Sequence, residues 1–151
     1  MKTLTIILLL LTITASSQTI GISWGYNPKG STCGKIAASE KHIGFFAKSY
    51  TDRDTFVDNQ LPEYERCLIV GCTYRLKDFS ISSGIGRYEH GIPEYVDNGH
   101  NRWNCNKVRK FSFESGVIIP CWSNSIWEIG IDFGLNLQMG VYSMFNAAIK
   151  L

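Results

Sequence analysis

The chain has 151 residues and a formal net charge of +2, which bounds it to one domain and is too small to argue for a nucleic-acid partner. Charged residues make up 19%, below the roughly 25% of soluble proteins, while glycine (14 residues) and aromatics (13%) are frequent. That balance suits a β-protein whose exterior need not be charged.

Met1 to Gln18 reads as a secretory signal peptide. Lys2 is the positive n-region, Leu4 to Ile13 the apolar h-region, and Ala15, Ser16 and Ser17 the small residues before cleavage. A membrane-anchoring helix needs roughly 20 apolar residues, about twice this run. The expected mature domain is 19–151, and no later run is long and apolar enough for a spanning helix.

The rest reads as strands and turns. Thr19 to Tyr26 alternates Ile20, Ile22, Trp24 and Tyr26 with Gly21, Ser23 and Gly25. A turn at Asn27 to Ser31 leads to a second strand, Cys33 to Glu40, and a reversal at Lys41-His42 to a third, Ile43 to Tyr50. A polar loop is expected over Thr51 to Glu63, acidic through Asp52, Asp54, Asp58 and Glu63. The fourth strand, Tyr64 to Arg75, sets Leu68, Val70, Cys72 and Tyr74 against Cys67, Ile69, Gly71 and Thr73. A fifth runs from Phe79 to Tyr88, followed by the longest expected loop, Glu89 to Lys107. The sixth is Val108 to Ile119, with a turn expected at Pro120 to Ser125. The seventh alternates most cleanly: Trp127, Ile129, Ile131, Phe133 and Leu135 against Glu128, Gly130, Asp132, Gly134 and Asn136. The eighth runs from Met139 to Leu151.

Eight strands is an even number, and several reach the roughly nine to eleven residues that a tilted membrane strand needs. The two longest connections fall on one end of such a barrel, the asymmetry expected of short periplasmic turns and longer outer loops. Bulky apolar residues face glycines and serines across each strand. Small residues fit the tight interior of an eight-stranded barrel, so the apolar face is expected outside, against lipid. The last residues, FNAAIKL, alternate Phe145, Ala147, Ile149 and Leu151 to the chain end, where outer-membrane barrels usually end in phenylalanine.

The signal peptide, strand count, loop sorting and terminal strand together resemble the small OmpA/OmpX-type outer-membrane barrels of Gram-negative bacteria. The resemblance implies an all-β, eight-stranded antiparallel up-and-down transmembrane barrel in the outer membrane. Outer-membrane lipid, lipopolysaccharide and the barrel-assembly machinery are its implied partners. It also implies a non-enzymatic structural, adhesive or surface-recognition role, with any host or surface ligand unspecified. The alternative is a secreted or periplasmic soluble barrel, lipocalin-like, whose apolar face lines a cavity for a small apolar ligand.

With the apolar face outside, the interior holds Glu114, Glu128 and Asp132, with Lys35 and Lys48 as candidate cations and Arg75 and Lys150 toward the periplasmic rim. Such a set serves either as an ion path or, more simply, as a core that satisfies its own charges. Trp24, Tyr26, Tyr50, Tyr74, Tyr88, Trp122 and Trp127 fall near strand ends and suggest interfacial girdles. Arg87, Arg102, Trp103, Lys107 and Arg109 are expected at the outer rim, at the height of lipopolysaccharide phosphates. Cys33 and Cys105 fall on that same side, so a disulfide between them is a candidate among five cysteines. Some small outer-membrane barrels modify lipids. However, no GxSxG motif is present, and the histidines His42, His90 and His100 sit at turns and loops, so no catalytic set, metal or cofactor is expected.

Overall fold

Alternating strands that carry glycine on one face and branched or aromatic side chains on the other can curl into a small cylinder. The computed structural model describes residues 19–28, 30–53, 63–96 and 102–151, with side chains for all but 53, 95, 96 and 102–104. The expected signal peptide, Met1 to Gln18, lies outside the described residues.

The strands are β1 (Thr19–Tyr26), β2 (Thr32–Glu40), β3 (Ile43–Arg53), β4 (Tyr64–Arg75), β5 (Ser80–Val96), β6 (Arg102–Ser123), β7 (Trp127–Asn136) and β8 (Gly140–Lys150). Each pairs antiparallel with the next in sequence, and β1 pairs with β8 from Thr19↔Lys150 to Tyr26↔Ser143. The sheet is therefore a closed barrel in simple up-and-down order. Closure leaves no edge within the wall, the condition a sheet must meet to sit in hydrocarbon.

The polarity of the wall is inverted relative to a soluble protein. Ile22, Ile36, Phe45, Leu68, Val70, Ile85, Phe113, Ile131, Phe133, Leu135 and Phe145 all point outward and are exposed. Lys35, Lys48, Glu114, Glu128, Asp132, Asn136 and Asn146 are buried inside. In water each exposed branched or aromatic side chain forgoes roughly 1.5–3 kcal/mol of burial, and each buried charge carries a desolvation cost. Both terms reverse in sense when the outer face meets lipid, so the barrel is a membrane-spanning one. The soluble, ligand-lined alternative fails on the same observation, because the apolar face does not line the lumen.

The interior is packed rather than open. Tyr50, Tyr142, Ile69, Met139 and Met144 fill it together with the charged residues. Gly84 shows how little room remains: a Cβ there would lie 2.6 Å from Ile69 Cγ2 and 2.9 Å from Phe46 Cζ.

Four expectations need correction. The polar loop expected from Thr51 begins later, because β3 runs on to Arg53, paired with Tyr64. The segment Glu89 to Lys107 is not a loop up to its tip: β5 runs on to Val96 and β6 starts at Arg102, paired throughout. The expected turn at Pro120 is also strand, because β6 continues to Ser123 past a register shift between Pro120 and Trp122. A bulge is where a sheet accommodates a residue without an N–H donor. Finally, Tyr50 and Tyr88 are not girdle residues. Both point inward and are buried, whereas Trp24, Tyr26, Tyr74, Trp122 and Trp127 are exposed on the outer wall near its two ends.

Candidate functional site: an inner ion-pair core and a charged outer rim

Strand parity sends alternate residues inward, and barrel closure brings inward residues of distant strands together. Lys35 on β2 donates to Asp132 Oδ2 on β7 at 2.7 Å. Lys48 on β3 donates to Glu114 Oε1 on β6 at 2.9 Å, and its ammonium sits 2.8 Å from the ring centroid of Tyr142. Tyr50 donates to the other Glu114 oxygen at 2.5 Å, and Asn136 Nδ2 reaches the same oxygen at 3.3 Å. Both pairs have side chains essentially without solvent exposure. A buried pair of this kind is worth little net stability while intact, but removing one partner strands the other charge.

At the end of the barrel where the β2–β3, β4–β5 and β6–β7 turns lie, Arg75 donates to Glu128 Oε2, and Lys150 stands 3.9 Å from the same oxygen. The five interior residues therefore occur in three groups rather than one continuous chain of contacts. At the opposite mouth Asp52, Glu63, Tyr64 and Glu65 line a cavity of about 170 Å³, where His90 Nε2 lies 2.5 Å from Glu63 Oε1. Among the described residues, no group of three or more His, Cys, Asp or Glu has the arrangement of a metal site.

The outer rim is organised around Glu89. Cross-strand register places Arg66 of β4, Glu89 of β5 and Arg109 of β6 in one row. That row lies on the outward-facing parity, one step above Leu68, Arg87 and Phe111. Glu89 Oε1 accepts from Arg66 Nη2 at 2.7 Å and from Tyr64 OH at 2.9 Å. Its other oxygen accepts from Arg109 Nε at 3.0 Å, and Arg87 Nη2 stands 3.6 Å away. The carboxylate is 4% exposed, whereas the three arginine side chains are 57–61% exposed. The hydrogen bond from Arg109, then that from Tyr64 and the Arg66 charge, hold the Glu89 carboxyl at about 2, well below the usual carboxylate range. The same contact to Glu89 raises the Tyr64 phenol, with desolvation the larger cause.

Of the rim residues expected from sequence, the structure brings Arg87 and Arg109 together at Glu89. Lys107 is exposed one row higher, opposite Gly91. Arg102 and Trp103 lie at the far end of β6, opposite Val96 and Tyr95, with side chains outside the described part of the structure. Arg66, Tyr64 and Glu89 were missed. The signal that could have found them is register, since extending the fifth strand past Tyr88 sets Glu89 beside Arg66 of the fourth.

Cys33 and Cys105 are not brought together. Cys33 is buried in the lumen on β2, and Cys105 stands on β6 opposite Pro93, beyond the end of β4. No disulfide joins any of the five cysteines.

No known family profile and no curated protein sequence matches the chain. Solved structures do. The attachment invasion locus protein Ail of Yersinia pestis, in complex with the heparin analogue sucrose octasulfate, aligns with a TM-score of 0.56 at 11% identity, over 87% of this chain and 94% of that one. The same outer-membrane protein in a phospholipid bilayer nanodisc aligns with a TM-score of 0.52 at 12% identity, covering 89% and 99%. The N-terminal β-barrel domain of Pseudomonas aeruginosa OprF aligns with a TM-score of 0.50 at 8% identity, covering 89% and 98%. At these identities the likeness establishes the fold alone: the chain is built as a small eight-stranded closed barrel of the kind these outer-membrane proteins have.

Proposed function

We propose that the chain is an integral outer-membrane protein, exported by its leader, that presents the β5–β6 hairpin for surface recognition and carries out no catalysis. One observation carries this reading. β4 ends its pairing at Tyr64↔Gly91 and β7 at Asn136↔Glu114, yet β5 and β6 stay paired to Val96↔Arg102. At 3.4 Å per residue, the paired ribbon from Gly91 to Val96 rises roughly 17 Å past the end of β4. Pro93 sits in this segment, where among the described residues β5 has no strand partner on its other side, so the missing N–H leaves no ladder bond unmade there. A stiff ribbon on a rigid wall is a suitable platform for recognition. Binding of a sulfated sugar analogue by one neighbour of the same fold supports a surface ligand here as well, and its bilayer structure supports lipid as the surroundings.

The test has two parts. Protein recovered from the membrane fraction should shift in gel mobility when boiled, because a closed barrel stays folded in mild detergent. A membrane-impermeant amine reagent applied to intact cells should then label Lys107 and Lys110 but not Lys41 and Lys77, which lie at the other end of the barrel. Labelling of Lys41 and Lys77 alone, or a soluble protein with no mobility shift, would overturn the proposal.

A further inference from the structure

Among the described residues, the cations of the outer rim are not spread evenly around the barrel. At the height of Glu89, the outward row reads Thr32, Thr51, Arg66, Glu89 and Arg109 across β2 to β6. The outer ends of β7, β8 and β1 present Leu135, Leu137, Val141, Ser143 and Tyr26 instead, without a charge. Arg87 lies one row below on the same flank and Lys107 one row above. Directly beneath the cluster the wall is apolar, with Leu68, Ile85, Phe111 and Phe113 exposed. One flank of the barrel therefore joins an acyl-chain surface to a patch of three arginines.

The patch is built rather than incidental. Three exposed arginines held side by side repel one another, and Glu89 offsets that by taking one contact from each. Tyr64 locks the carboxylate from above, its ring lying against Gly91, where any side chain would collide with it. Each guanidinium has five N–H donors and commits one nitrogen to Glu89, so most of its donors stay directed outward. Three cations and one anion leave a surplus of two positive charges. Planar guanidinium forks match the oxygens of a phosphate group, and their position at the top of the lipid-facing wall is where phosphorylated headgroups lie.

We infer that Arg66, Arg87 and Arg109, oriented by Glu89, form a docking site for a phosphorylated glycolipid of the outer leaflet, with its acyl chains on the β4–β6 wall. This rests on the outer-membrane reading above. It goes beyond that reading in naming one flank, one lipid chemistry and Glu89 as the positioning residue. The site holds a lipid by shape and charge, and no bond is made or broken.

The test uses the barrel in phosphatidylcholine nanodiscs containing either diphosphoryl lipid A or its fully dephosphorylated form, with bound lipid counted by native mass spectrometry after detergent release. The barrel should retain the phosphorylated lipid and not the dephosphorylated one. Replacing Arg66, Arg87 and Arg109 together by glutamine should lower that retention at least about tenfold. Replacing Lys41 and Lys77 by glutamine, at the other end, should leave it unchanged. E89Q discriminates between a built site and simple charge attraction: it adds positive charge, so attraction alone predicts more retained lipid, whereas loss of the organising carboxylate predicts less. Equal retention of both lipids, equal retention by the triple-arginine variant, or a gain with E89Q would overturn the inference. Competition by millimolar inorganic phosphate at wild-type retention levels would also overturn it, by showing a site for free phosphate rather than for lipid. A barrel that fails to enter the nanodisc would instead sink the outer-membrane reading, while one that enters and shows no lipid preference sinks only the site.

Discussion

Glu114 and Glu89 sit on adjacent-numbered strands of one wall, each a buried carboxylate bonded to cations and a tyrosine, yet they do opposite things. Inside the barrel, Glu114 takes one lysine, one tyrosine and one asparagine, and the charges of the pair cancel. On the rim, Glu89 faces three arginines and one tyrosine, and charge is left over. A closed lumen cannot tolerate surplus charge, because nothing but protein can neutralise it. A surplus at the headgroup level is neutralised by whatever anion lies there. The contrast identifies the inner group as structural and the outer group as the place to look for binding.

The largest expected effect is on the inner group. Glu114→Ala leaves Lys48 buried beside two aromatic rings without its counter-ion and should cost about 3–5 kcal/mol. Urea unfolding in lipid vesicles would measure it. Replacing both Lys48→Met and Glu114→Gln should recover a large part of that loss, and equal losses for single and double variants would mean the pair is not energetically coupled.

The second effect tests the wall between the two groups. Ile131 is exposed on the outward face of β7, in register with Ile119 and Phe145. Ile131→Arg should cost roughly 2–4 kcal/mol of stability in a bilayer if it lies near the midplane. Little loss in vesicles would mean that this face is wet.

The third effect is pH-dependent and belongs to the rim. Because the folded Glu89 carboxyl is held at about 2, below its unfolded value near 4.5, its stabilising contribution is complete above that unfolded value. It is lost only as pH falls through the folded value. The rim cluster should therefore stay intact from neutral pH to about 5 and disassemble between roughly 4 and 2. The carbonyl-carbon shift of isotopically labelled Glu89 would report it, and a midpoint at the ordinary glutamate value would show that the arginines do not hold it.

The smallest effect separates binding from folding. Arg66→Gln removes an exposed partner of Glu89 and should change unfolding free energy by less than about 1 kcal/mol, as surface pairs do. A loss as large as that of Glu114→Ala would make the rim as structural as the lumen.

Much of the barrel was legible in the sequence because its strands separate two different solvents. Where one face meets lipid and the other a tight lumen, alternation is sharp: β1 was read with both its ends, and Ile22, Trp24 and Tyr26 point outward on it as the pattern indicates. The β5–β6 extension was misread for the same physical reason. Beyond the membrane both faces of the ribbon carry polar residues, and His90, Pro93 and Glu94 read as loop because no alternation marks them as strand. With Glu89 assigned to that loop, its row with Arg66 and Arg109 stayed hidden. Tyr50 and Tyr88 were misplaced because position near a strand end says nothing about which side a ring takes when the lumen is large enough to hold it. The inner partners were unreadable for another reason. Lys48 and Glu114 are 66 residues apart on strands that are not neighbours, and their meeting depends on closure and stagger of the whole wall.

The central claim is that the outer face of this barrel is dry against lipid and its charges are enclosed. The tryptophans test it most directly, since Trp24, Trp122 and Trp127 are 60%, 51% and 44% exposed on the outer wall. The W103F protein, which lacks the fourth tryptophan on the projecting hairpin, would be placed in phosphatidylcholine vesicles whose acyl chains are brominated at shallow positions, and its fluorescence compared with that in unbrominated vesicles and in the presence of acrylamide. Strong quenching by the brominated chains with weak quenching by acrylamide is the result the account predicts. Strong quenching by acrylamide with none from the brominated lipid would place the apolar wall in water and contradict it.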